Sequence, residues 1–114
     1  LPAASDTTTD GIQDEEPELT TRLLAFLVET RWGEIPEEPF TESARNELVG
    51  QLRSFLPPYT RSLGPPSTMT LLAERMESEL RVREYRVLYG NKPVRWRFDL
   101  SPDGKIASLR PTPE

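Results

Sequence analysis

The sequence predicts an α+β domain, with two or three N-terminal helices packed on one face of a curved four-stranded antiparallel meander. Three observations carry this expectation. Apolar residues recur at helical spacing between Leu19 and Leu56. From Met69 onward the period drops to two, as on a half-buried strand. Turn chemistry at Gly90-Asn91 and at Ser101-Pro102-Asp103-Gly104 then separates alternating segments of strand length.

The elements follow in order. Residues 1–14 are small, polar and acidic, and bury too little apolar surface to offset ordering entropy, so they read as a linker or tail. One domain is expected over residues 15–114. Glu15, Glu16 and Glu18 around Pro17 suit a helix N-terminus, where the dipole favours negative charge and a missing N–H costs nothing. Leu19, Leu23, Phe26, Leu27 and Thr30 share one face of that helix, and Gly33 stops it. Thr41 caps a second helix with a stripe of Ala44, Leu48, Val49, Leu52, Phe55 and Leu56. Pro57-Pro58 is expected to break or kink it, with a short turn at residues 59–63 before Gly64-Pro65-Pro66.

Strand registers follow from the turns. A hairpin at Gly90-Asn91 puts Val87 opposite Val94, Tyr85 opposite Trp96 and Glu84 opposite Arg97. A three-residue turn at Glu77-Ser78-Glu79 puts Leu71 opposite Tyr85 and Met69 opposite Val87. A four-residue turn at 101–104 puts Phe98 opposite Ala107 and Trp96 opposite Leu109, in a last strand spanning residues 105–109. All three registers set apolar against apolar on one face. Leu80 and Val82 fall on the other face, where a bulge near Arg83 or burial at a sheet corner accounts for them.

Composition narrows the chemistry. The 114 residues contain no cysteine and no histidine. That excludes disulfides, thiolate metal sites and any nucleophile–histidine triad within this chain. No cofactor, catalytic residue or metal ligand set is expected. The acidic loop residues Glu34, Glu37 and Glu38 lack the alternating spacing of a calcium loop. Residues 1–50 hold 12 acidic and 3 basic side chains, and residues 51–114 hold 7 acidic and 11 basic. The basic residues alternate with apolar ones and form no block, so no nucleic-acid partner is expected. No apolar run approaches the ~20 residues of a membrane span. The chain opens at Leu1 rather than Met, which reads as a processed or excised fragment.

Four segments resemble the NTF2-like (cystatin-like) fold of small bacterial domains: FTESARNEL at 40–48, SLGPPSTMTLLAER at 62–75, REYRVLYG at 83–90 and SPDGKIASLRP at 101–111. Their order also resembles accessory domains that follow the catalytic part of bacterial serine hydrolases of the β-lactamase type. The resemblance spans about residues 18–111. It implies a non-catalytic accessory or interaction domain of a larger, exported bacterial hydrolase, whose partner is a covalently linked or neighbouring catalytic domain. Enzymes of that superfamily use Asp, His or Tyr in the cone between sheet and helices, and here the inward positions hold aromatics without a carboxylate.

Two constellations compete with ordinary structural roles. Trp32, Tyr85, Tyr89, Trp96 and Phe98 either line a ligand pocket, as in a stand-alone ligand binder, or form an aromatic core. Arg81, Arg83, Arg86, Arg95 and Arg97 either bind an anion or partner, or make a solvated face with cross-strand ion pairs such as Glu84–Arg97. A homodimer through Leu80, Val82 and Leu88 is the remaining alternative. The core and solvated-face readings lead.

Overall fold

The computed structural model describes residues 11–33 and 35–113. Among the described residues, three helices precede a four-stranded antiparallel sheet of order β1-β2-β3-β4, and the sheet is not closed. The first ten residues of the expected linker lie outside the described residues.

Helix α1 (Pro17–Thr30) starts with proline at its first position and Glu18 in its first turn. It buries Leu19, Leu23, Phe26, Leu27 and Thr30 as one stripe. Gly33 ends the following turn at φ +89°, a conformation that side chains with a Cβ rarely adopt.

The second helical run differs from expectation at both of its prolines. Thr41 caps α2 (Glu42–Glu47) by accepting from the Ala44 amide. The chain then bends at Leu48, and α3 (Val49–Leu63) runs straight through Pro57-Pro58. The prolines withdraw the amides that would bond the carbonyls of Arg53 and Ser54. Both residues are exposed, so water can serve those carbonyls. Pro57 itself is buried and adds to the packed stripe.

The strands are β1 (Thr68–Glu77), β2 (Leu80–Tyr89), β3 (Lys92–Leu100) and β4 (Ile106–Pro113). The β2–β3 hairpin has the expected register, with Val87 on Val94, Tyr85 on Trp96 and Glu84 on Arg97. The β1–β2 pairing also sets Leu71 on Tyr85 and Met69 on Val87, but by another route. The turn is only Ser78-Glu79, both at positive φ, and the missing residue reappears as a bulge between Leu71 and Ala73. The bulge therefore lies on β1 rather than near Arg83.

The last pairing departs by two residues. Phe98 faces Leu109 and Trp96 faces Pro111, with a register shift between Asp99 and Leu100. The strand continues past Leu109 through Pro111. An edge strand needs ladder bonds on one side only, so proline is tolerated there and blunts the free edge. Residues 39–41 cover the start of that edge, where Ile106 N donates to Pro39 O (2.7 Å) and Thr41 N to Ile106 O (3.0 Å).

The core lies between the helical stripes and one sheet face. Phe40, Leu56, Tyr85, Val87, Trp96, Phe98 and Leu100 are all sealed from solvent. No helix among the described residues is long and apolar enough to cross a membrane.

Candidate functional site

The aromatic set divides. Tyr85, Trp96 and Phe98 are fully buried and Tyr89 is 3% exposed. Trp96 stacks with Phe98 (centroids 6.3 Å) and meets Tyr59 of α3 edge-on (6.2 Å). Tyr85 meets Phe98 edge-on at 5.9 Å. The Trp96 indole N–H donates to the Tyr89 hydroxyl (3.0 Å), satisfying a buried donor. Burial pushes the Tyr89 phenol up to about 12. Trp32 does not join them. It lies beyond Thr30, the last inward position of α1, and is 70% exposed beneath the Arg31 guanidinium (5.3 Å).

The arginines divide as well. Arg86, Arg95 and Arg97 share the outer sheet face, as expected. Arg95 Nε donates to Glu84 (2.7 Å), Arg97 Nε to Asp99 (2.8 Å) and Arg97 Nη2 to Glu77 (3.0 Å). Arg75 adds a second cation to Glu84 at 2.8 Å. Burial alone would raise the Glu84 carboxyl, but hydrogen bonds from Arg95 and Arg75 hold it below the usual range. Val82, between Arg75 and Asp99 in the ladder, is fully buried on this face, outside the main core. Leu80 and Leu88 are half-buried.

Arg81 and Arg83 require a correction. Positions 81 and 83 have the parity of Tyr85, Val87 and Tyr89, so they lie on the helix side of the sheet rather than on its outer face. The Arg83 side chain is fully buried. Its Nε donates to Glu74 (2.8 Å), Nη2 to Asp14 (2.9 Å), and Nη1 to the Tyr85 hydroxyl (2.6 Å) and Thr20 (3.2 Å). The β1 bulge makes this possible. By turning the strand over, it brings Glu74 opposite Arg83, where an unbroken ladder from Leu71 would have brought Ala73.

Asp14 reaches Arg83 because residues 11–16 lie across the β1 edge. Ile12 N donates to Leu71 O (2.9 Å), and a Cβ on Gly11 would stand 2.8 Å from Thr70 Cγ2. Asp14 also accepts from Thr20 and from the Glu16 amide (2.9 Å), while Arg81 pairs with Glu16. Burial would raise the Asp14 carboxyl. Hydrogen bonds from Thr20, the Glu16 amide and Arg83, with the guanidinium charge, hold it lower than usual. Burial likewise opposes the Arg83 charge, yet Glu74 and Asp14 push its pKa up. This ring is a clasp: Tyr85 is sealed, and its hydroxyl is engaged by Arg83 and Thr20 (2.9 Å).

The more open feature is a cleft of about 270 Å³ between α1, the loop at 38–39 and the turn before β4. Leu23, Phe26, Pro39 and Ile106 supply apolar walls, and Arg22, Glu29 and Glu38 supply its charges. None of the five aromatics expected to line a pocket borders it. A second cleft of about 250 Å³ lies between α2 and β4 near Ala107.

Sequence reasoning put Arg83 on the wrong face and passed over the cleft, for different reasons. The parity of Arg83 was readable, but its charge suggested solvent. The cleft joins residues 22–29, 38–39 and 104–106, which no local pattern connects. No family model, curated protein or solved structure matches this chain.

Proposed function

We propose that this chain is a non-catalytic interaction module, accessory to the catalytic part of a larger exported bacterial hydrolase. One observation carries the non-catalytic part of the reading. Four of the five aromatics that would have to line a ligand or reaction cavity, Tyr85, Tyr89, Trp96 and Phe98, form the core, each 3% exposed or less, and the fifth, Trp32, stands at the surface. Asp99, an acid that could move a proton, is held by Arg97 and Ser108 (3.0 Å). Exposed Val28, Trp32, Phe55 and Met76 support a surface that meets another protein. The hydrolase parent is supported by the resemblance of the four sequence segments to accessory domains of that kind.

The test is to express the gene product with and without this module. Removing it is expected to lower the melting temperature or change KM, while a fluorophosphonate probe still labels the catalytic serine. The reading fails if the gene encodes no catalytic part, or if the isolated chain turns over ester substrates itself.

A further inference from the structure

Charges around the cleft differ from those on the outer sheet face. On the outer sheet face Glu77, Glu84 and Asp99 all have arginine partners. At the cleft, the carboxylates of Glu29 and Glu38 and the guanidinium of Arg22 have no ion-pair or hydrogen-bond partner among the described residues. The nearby Lys105 ammonium donates to the backbone carbonyl of Glu38 (3.0 Å), not to its carboxylate. Arg22 lies over Gly104, with Nη2 3.2 Å from where a Cβ would stand, so this end of the cleft depends on a residue without a side chain.

Arg22 and Glu29 are two helical turns apart on α1, about 10 Å. The cleft thus has a cation at one end, an acid at the other and apolar walls between. Its apolar character also continues beyond it. Ala25 lines the cleft, Val28 (36% exposed) follows it three residues on along α1, and Trp32 (70% exposed) stands in the turn just past the helix end. A site that runs on as a stripe suits a length of chain better than a compact small molecule.

We infer that this cleft docks an extended peptide segment of a partner protein, with an apolar side chain inserted between Phe26 and Ile106 and a Lys or Arg beside it meeting Glu29 and Glu38. An acidic residue three positions from the basic one, about 10 Å along an extended chain, meets Arg22. The inference rests on the interaction-module reading and names the partner's chemistry. Charge complementarity selects it: an acidic neighbour in place of the basic one would leave Glu29 and Glu38 facing a like charge.

The test uses the full chain, 15N-labelled, titrated with three capped peptides of central sequence Lys-Leu-Phe-Glu, Glu-Leu-Phe-Glu and Lys-Ser-Ser-Glu. The first is expected to shift amides within residues 22–29, 38 and 104–106. The second should bind about threefold to tenfold more weakly, as for two exposed ion pairs lost, and the third should not bind. Glu29→Gln with Glu38→Gln should weaken the first peptide by a similar factor. Ala25→Trp, an exposed substitution that fills the cleft, should abolish binding without changing the far-UV spectrum. Equal binding of the first two peptides, indifference to Ala25→Trp, or no shift with any peptide would overturn the inference. Shifts confined to the Phe55–Tyr59 side would also overturn it. The parent-protein experiment reads the module itself, so success there with failure here removes the cleft alone.

Discussion

Arg83 and Arg97 stand on neighbouring strands and are held in nearly the same way. Arg83 gives Nε to Glu74 at 2.8 Å and Nη2 to Asp14 at 2.9 Å. Arg97 gives Nε to Asp99 at 2.8 Å and Nη2 to Glu77 at 3.0 Å. In these ion pairs the two are equivalent, although Arg83 also gives Nη1 to Tyr85 and Thr20. They differ in surroundings and in what they join. The Arg83 side chain is sealed, whereas that of Arg97 is 25% exposed. Arg83 ties residues 11–16, α1 and β1 together, while Arg97 ties β3 to the end of β1 and to its own strand. Water competes with every bond of Arg97 and screens it. At Arg83 no water stands ready to replace a lost partner, so breakage is costly even where formation gained little.

The largest expected effect tests that difference directly. Arg83→Ala leaves Asp14 without a cation and Glu74 with Arg81 alone at 3.8 Å, and opens a void beside Tyr85. It is expected to cost about 3–5 kcal/mol in urea denaturation, as for a broken buried ion pair. Replacing the whole set, Arg83→Met with Asp14→Asn and Glu74→Gln, removes the stranded charges and should recover much of the loss. A cost below about 1 kcal/mol for Arg83→Ala would place Arg83 in the same class as an exposed arginine and end the comparison.

Asp14→Asn is the next largest, because it cuts one charged arm of the clasp and leaves the others. A hydrogen bond to a charged group contributes about 1.5–3 kcal/mol, and Asp14 is partly solvated, so the lower half of that range is expected. The Ile12 amide should lose hydrogen-exchange protection, since residues 11–14 are anchored through Asp14. The pH dependence has a definite sign. The folded carboxyl is depressed, so its contribution is complete above the ordinary aspartate value near ~4 and is lost as the pH falls through the folded value. Wild type should therefore lose stability on acidification below about pH 4 more steeply than Asp14→Asn.

The clasp also shows what a sequence can and cannot disclose. The Val87–Val94 and Tyr85–Trp96 pairs were legible because a two-residue Gly-Asn turn fixes register and alternation checks it. The Leu71–Tyr85 pair was legible for a less direct reason: a three-residue turn and a two-residue turn with one bulge give the same register beyond the bulge. The side of β1 that Glu74 occupies depends on where the extra residue sits, and nothing local marks Leu72. The β4 register failed because Leu100 pairs with Ile106 across a five-residue loop, not a four-residue turn, and the ladder shifts once more at Asp99; the strand's length failed because Pro111 and Pro113, which an edge tolerates, would end an inner strand. Pro57-Pro58 failed similarly, since exposure of the Arg53 and Ser54 carbonyls is a tertiary fact. At Asp14 the low hydrophobicity of residues 1–14 was real, but one buried guanidinium is enough to hold residues 11–14.

The hairpin that presents Glu74 to Arg83 can be adjusted with an effect of intermediate size. Ser78 and Glu79 both have positive φ, at 50° and 69°, where Asn and Gly fit a tight two-residue turn with less strain. Ser78→Asn with Glu79→Gly is expected to stabilise the domain by about 1 kcal/mol in thermal or urea unfolding. A destabilising result would mean that the turn residues serve some role other than turning.

The smallest effect belongs to the other half of the comparison. Arg97→Ala removes two ion pairs at distances that match those of Arg83, yet it should cost no more than about 1 kcal/mol, and less in 1 M salt. Its acids are not stranded. Asp99 keeps Ser108, and Glu77 keeps Arg75. Val82 is the one way this could fail, because it is buried on that face between Arg75 and Asp99, and Arg97 stands diagonally across the ladder from it, within reach of an aliphatic stem that would shield it from water. Arg97→Met separates the two contributions. If it restores the loss of Arg97→Ala in high salt as well as low, Arg97 stabilises by covering Val82. If only a cation restores it, its two ion pairs matter more than their exposure implies, and the faces are more alike than burial suggests.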